Sequence, residues 1–124
     1  MVLLDTNIII YLAVDDRAYD KLRSAVSQQS NFHFSVISKI ETLGYHKLTV
    51  GEEITLSGII SRLISQPVTN QIVECAIDLR KRRSMSLGDS CIAATAIVCN
   101  LELWTNNTQD FAGIEGLKLH NPLR

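Results

Sequence analysis

Apolar residues along this chain fall in short dense bursts separated by brief polar breaks. Val2-Leu3-Leu4 is a continuous run, the pattern of a strand covered on both faces. Asp5, Thr6 and Asn7 interrupt it, and Ile8-Ile9-Ile10-Tyr11 resumes at once. With Asp5 as its cap, the stretch 6–14 reads as a helix. Asp15-Asp16 breaks that pattern, and 17–29 returns to helical spacing with Leu22 and Val26 four apart. Ser30-Asn31 marks a turn, 32–36 a second strand, and 37–47 a helix through Ile37, Ile40 and Leu43.

Gly51 punctuates the middle of the chain. Beyond it Leu56, Ile59, Ile60 and Leu63 lie on one stripe, predicting an amphipathic helix over 52–65 that Pro67 ends. A further helix over 70–83 turns Ile72, Val73, Ala76 and Ile77 inward. Ser86 caps a helix over 87–99 that is apolar nearly all round and so belongs in the middle of the fold. Asn100 closes that helix, and 101–104 and 117–120 read as further strands. Strands separated by helices predict a three-layer α/β/α architecture on a mostly parallel sheet of four to five strands. Reactive sites in such sheets gather at the carboxyl ends of the strands. Asp5 stands at one.

Composition sharpens this only at the margins. A length of 124 residues suits one domain over 1–124, and 46% hydrophobic with 20% charged residues is ordinary for a globular chain. No apolar run approaches the ~20 residues that cross a bilayer, and the start lacks a basic secretory signal. The three cysteines, Cys75, Cys91 and Cys99, have no metal-binding spacing and read as small buried hydrophobes. The expectation is a cytoplasmic protein with no membrane contact. A net charge of −1 carries no basic excess, so any nucleic-acid contact needs local clustering. Lys39 and Lys47 offer some, as does the run Arg80-Lys81-Arg82-Arg83. Cations ending a helix complement its dipole and successive residues point apart, so only one or two of that run, Arg82 and Arg83, are candidates.

The acids fall into a more telling pattern. Glu41 lies early in the helix after strand two, and Asp89 in the first turn of the central apolar helix. Asn107 and Asp110 follow strand three. Each alone has a plain explanation as a helix cap, a solvated residue or an Asx turn. Together they bring acids or amides from four distant segments to one rim of the sheet. Carboxylates gathered this way repel unless a cation joins them, and hard oxygen ligands suit Mg²⁺ or Mn²⁺.

Four stretches in order, LDTNIIIY, SVISKIETLGY, SLGDSCIAATAI and TNNTQDF, resemble the PIN-domain nucleases, and among them the short VapC-type toxins. The resemblance runs essentially end to end. It implies a PIN-like fold in which Asp5, Glu41 and Asp89 are the acidic triad, with Asp5 and Asp89 as metal ligands. Asn107, with Asp110 nearby, falls at the fourth position, where an amide brings no charge. Thr6 and Asn7 resemble supports that hold Asp5 and a water or phosphate. The implied activity is metal-dependent endoribonucleolytic hydrolysis of RNA with Mg²⁺ or Mn²⁺, by the toxin of a type II toxin–antitoxin pair. A cognate antitoxin and a homodimer are the implied partners. Alternatives are a housekeeping RNA-processing nuclease and a non-cleaving PIN-like module that binds RNA or protein. A receiver-type signalling domain also binds Mg²⁺ on a parallel sheet, but it wants adjacent acids after strand one and a late lysine, which are missing here.

Overall fold

Along the first strand, β1 (Val2–Leu4), Val2 and Leu4 face one side and Leu3 the other, and each side carries its own core. A computed structural model describes all residues, 1–124. The remaining strands are β2 (Phe32–Ser35), β3 (Ile64–Gln66), β4 (Glu102–Trp104) and β5 (Leu119–His120). They form one five-stranded sheet in the order β3-β2-β1-β4-β5, with every neighbouring pair parallel. Parallel strands joined by crossovers of this kind need covering helices on both faces.

Helices α1 (Thr6–Ala13), α2 (Asp20–Ser27) and α4 (Val50–Ile60) cover the face presenting Val2, Leu4, Phe32 and Phe34. Helices α5 (Asn70–Arg82) and α6 (Leu87–Val98) cover the face presenting Leu3 and Leu103. Between them α3 (Val36–Leu43) sends Ile37 to one core and Leu43 to the other. Helix α6 is the most enclosed element, with every residue from Ser90 to Ala96 buried, as its unbroken apolar surface implied. A short α7 (Thr108–Phe111) anchors the loop after β4 through buried Phe111. No helix is long and apolar enough to cross a membrane.

Asn100 ends α6 by a specific device. It takes φ 53°, while Leu101 N donates to Ala96 O at 2.9 Å and Asn100 N to Ile97 O at 3.3 Å. These are the two bonds of a Schellman cap, which a left-handed residue completes. A β-branched side chain at φ > 0 is strained by roughly 1–2 kcal/mol. Asn100→Val is therefore expected to lower unfolding free energy by about that amount in urea melts, with Asn100→Gly at or above wild type.

Several boundaries differ from the sequence pattern. The helix expected over 52–65 begins earlier and ends at Ile60, because Thr49 and Glu52 close a reciprocal capping box and Gly51 sits inside its first turn. Ile64–Gln66 then forms the edge strand β3, held beside β2 by backbone pairing and by Gln66 Nε2 against His33 Nδ1 at 2.9 Å. Leu56 and Ile60 of the expected stripe are core residues. On α5, Val73 and Ile77 are 41% and 44% exposed, and Leu79 joins Ile72 and Ala76 in the core instead. The stretch 17–29 splits into a 3-10 turn, Arg17–Tyr19, and α2. Helix α3 stops at Leu43, capped by Gly44, short of the expected Lys47. The cysteines are free and wholly or partly buried, as expected.

Candidate active site

The chain leaves β1 for β2 and β3 on one side, then crosses back to β4 and β5 on the other. The strand order thus reverses between β1 and β4, and crevices for ligands open at the carboxyl ends of strands at such a switch point. Asp5 follows β1 directly and Thr105 follows β4 directly. The two residues meet there.

Asp5 is only 4% exposed. As N-cap of α1 it accepts the Thr6 N–H at Oδ1, 2.8 Å, and its Oδ2 accepts the Thr105 hydroxyl at 2.7 Å. Thr105 in turn accepts the Asn107 N–H at 3.0 Å, so its proton is directed toward Asp5. Thr6 uses its hydroxyl differently from the sequence expectation. Only its N–H supports Asp5, while its Oγ1 donates to Glu41 Oε1 at 2.7 Å. Asn7 leaves a buried side-chain oxygen with no partner two residues after Asp5.

Glu41 is exposed on α3, and its Oε2 lies against Gly88, where an added Cβ would stand 3.0 Å away. Asp89 is half-buried in the first turn of α6, next in sequence to that glycine. Burial is the main cause raising the Asp5 pKa above the ordinary carboxylate value, opposed by the bonds from Thr105 and Thr6 and reinforced by the charges of Asp89 and Glu41. Burial likewise raises Asp89, and Asp110 and Glu41 add to it while Ser86 offsets it. Asp5, Glu41, Asp89 and Asp110 therefore share one electrostatic neighbourhood. No cation compensates it, since the ion pairs of the protein are Arg23–Asp20 and Arg82–Asp78.

The acids gather without closing into a finished cage: no three His, Cys, Asp or Glu side chains are assembled to hold an ion. The donor set still suits a hard divalent cation, because every contributor is a carboxylate or amide oxygen.

Other candidates sit around the rim. Asn107 and Asp110 are both exposed, one at the cap of α7 and the other within it. Lys39 lies on α3 and Lys47 in the loop beyond it, both exposed. Arg82 pairs with Asp78 one helical turn away. Arg83 reaches across to the carbonyls of Ala112 and Asp110, at 2.5 and 3.1 Å, and so ties α7 to the end of α5. Its guanidinium is engaged with backbone rather than free on the surface. Thr105, Ser38 and Gly88 were not singled out from the sequence. The Thr of the TNNTQDF stretch was in view, but its link to Asp5 spans a hundred positions.

The fold and site define an α/β/α protein with mutually repelling acids near the switch point of a parallel sheet. The sequence model of the PIN domain matches residues 2–117. The chain belongs to the PIN domain family. Among solved structures, a chain of a toxin–antitoxin complex from Klebsiella pneumoniae is 30% identical, with 98% of each chain covered and a TM-score of 0.81. A chain of VapBC2 from Rickettsia felis, bound to a DNA fragment from its promoter, is 25% identical, with 98% of each covered and a TM-score of 0.82. VapC20 of Mycobacterium tuberculosis, a toxin that cleaves the sarcin–ricin loop, shares the fold at 15% identity, 93% and 98% coverage and a TM-score of 0.68. The sequence has no match among curated proteins.

Proposed function

We propose that this protein is a metal-dependent endoribonuclease acting as the toxin of a toxin–antitoxin pair. The observation that carries the reading is that Asp5 feels the charges of Asp89 and Glu41, and Asp89 those of Asp110 and Glu41, while none of the four is in an ion pair. In this reading Asp5 and Asp89 hold Mg²⁺ or Mn²⁺, and Asn107 and Asp110 complete the rim. The ion, when bound, lowers the pKa of water and offsets the charge of a phosphodiester. Asp5 enters the site already oriented by two hydrogen bonds, and Glu41, with Oε1 held by Thr6 and Oε2 beside Gly88, is the group that orients the attacking water. Lys39 and Lys47, neither in an ion pair, counter the backbone charge of the RNA.

The antitoxin reading has its own support. A cleft of about 570 Å³ lies between α1, α3 and α4, lined by Ile10, Val14, Tyr45, Leu48 and Leu56, and Glu41 forms part of its wall. A partner segment with an apolar face and a cation beside Glu41 fits that lining. The Klebsiella and Rickettsia structures are of chains held in such two-component complexes.

Incubation of the purified chain with total RNA and Mn²⁺, followed by sequencing of the new ends, tests the reading. Discrete cuts leaving 5′ phosphates and abolished by EDTA are expected; intact RNA under all divalent ions would overturn it. Thr105→Val is expected to slow cleavage about 10–100-fold, the usual effect of losing a group that orients a ligand. Initial rates at saturating Mn²⁺ measure this, and a melting temperature near wild type excludes unfolding as the cause.

A further inference from the structure

Glu41 is an exposed, long side chain whose only hydrogen-bond partner is Thr6 Oγ1. What holds Thr6 therefore decides where Glu41 points. A threonine hydroxyl has a single proton and two lone pairs. That proton goes to Glu41 Oε1 at 2.7 Å. The second contact of the same oxygen, to Ser38 Oγ at 2.8 Å, must then use the proton of Ser38. Ser38 is fully buried and its hydroxyl has no other partner, so the direction of the chain is set: Ser38 donates to Thr6, and Thr6 donates to Glu41.

The local sequence explains the arrangement. Ser38 and Glu41 are three apart on α3 and share one face, which packs on α1 where Thr6 is the first helical residue. The chain of hydroxyls leaves α3, crosses to α1 and returns. It mirrors the bond on the far side of the crevice, where the Asn107 N–H directs Thr105 onto Asp5. Asp5 and Glu41 are each aimed by a threonine, and each of those threonines is aimed by a donor behind it. Consecutive hydrogen bonds of this kind also strengthen one another.

We propose that Ser38 is a positioning residue of the active site, acting on Glu41 through Thr6. It commits Glu41 Oε1 to Thr6 and leaves Oε2 as the oxygen presented beside Gly88. The role of Glu41 in hydrolysis rests on the nuclease reading above, whereas the relay itself does not. Removing the Ser38 hydroxyl frees the Thr6 hydroxyl to turn and releases Glu41 into its many rotamers.

A double-mutant cycle tests this with two readouts. Ser38→Ala, Thr6→Val and the double variant are compared for cleavage of a fluorogenic single-stranded RNA in Mn²⁺, and for the carboxyl carbon resonance of Glu41 in metal-free, carbon-13-labelled protein. Ser38→Ala is expected to lower kcat about 10–100-fold with little change in KM. In the Thr6→Val background it should cost nothing further, because the path is already cut. The Glu41 resonance should shift in all three variants, and Ser38→Thr, which keeps the donor, should restore both readouts. An unmoved resonance in Ser38→Ala, or losses that multiply in the double variant, would overturn the proposal. If the wild type cleaves no RNA while the resonance still shifts, the relay stands and the nuclease reading falls. Should Ser38→Ala not fold, Thr6→Val alone must move the Glu41 resonance, and failure to do so overturns the relay.

Discussion

Asp5→Asn is expected to abolish RNA cleavage and, in metal-free protein at neutral pH, to raise the melting temperature. Both effects follow from one carboxylate, 4% exposed, facing Asp89 and Glu41 with no cation beside it. Asparagine keeps the shape but cannot carry the charge that binds a divalent ion. The loss should exceed the roughly 10–100-fold that follows removal of a merely supporting group. The stability gain has a pH signature. The Asp5 pKa is raised in the folded state, mainly by burial, so between its unfolded and folded values the folded state holds the extra proton. Stability then falls as pH rises through that window, and the full penalty remains above it. The advantage of Asp5→Asn should accordingly be present at neutral pH and shrink on acidification toward the ordinary carboxylate range. Melting curves of both proteins in EDTA across that range measure it. A variant less stable than wild type at neutral pH would show that the bonds from Thr6 and Thr105 outweigh burial.

Manganese is expected to stabilise the folded chain strongly, and Asp89→Asn to remove most of that gain. A ligand bound only by the folded state adds about 2.7 kcal/mol at a hundred times its Kd. For a chain of this size that corresponds to a rise in Tm on the order of 10 °C. The expected increase is large because the ion relieves a repulsion already present among Asp5, Glu41, Asp89 and Asp110. Asp89→Asn removes one ligand and part of the repulsion together, so the metal-free form should melt no lower than wild type while its response to Mn²⁺ collapses. Differential scanning fluorimetry with titrated MnCl₂ reads both. An equal shift in wild type and Asp89→Asn would place the ion elsewhere.

How much of this was legible in the chain depends on the distance over which each feature is decided. The strand at Val2–Leu4 and the buried helix at Leu87–Val98 follow from local apolar density, and the break at Asp5 marked a strand end correctly. Asn100 was readable as a helix stop because its role is local to one turn. Strand β3 was not readable. It has three residues, two of them exposed, and exists because β2 offers an edge for it to pair with. Its apolar Ile64 merely looked like the continuation of a helical stripe.

The site divides in the same way. Asp5, Glu41 and Asp89 each had a plain local explanation and stood out in the sequence only together. Of the hydroxyls that aim Asp5 and Glu41, Thr6 stood out, though for the wrong acid, and the others did not. Thr105 acquires its role only when β4 pairs with β1, and Ser38 only when α3 packs on α1. Gly88 matters for the room it leaves beside Glu41, which no spacing in the chain reveals. The basic run illustrates the reverse case. Arg83 looked available for nucleic acid, yet it binds the carbonyls of Asp110 and Ala112 across a tertiary contact.

One experiment bears on all of this at once: anomalous diffraction from crystals of the protein grown with manganese. A peak touching the side-chain oxygens of both Asp5 and Asp89 is the result required. Manganese bound away from that pair, or no bound ion at saturating concentration, contradicts the reading of this crevice as a catalytic metal site.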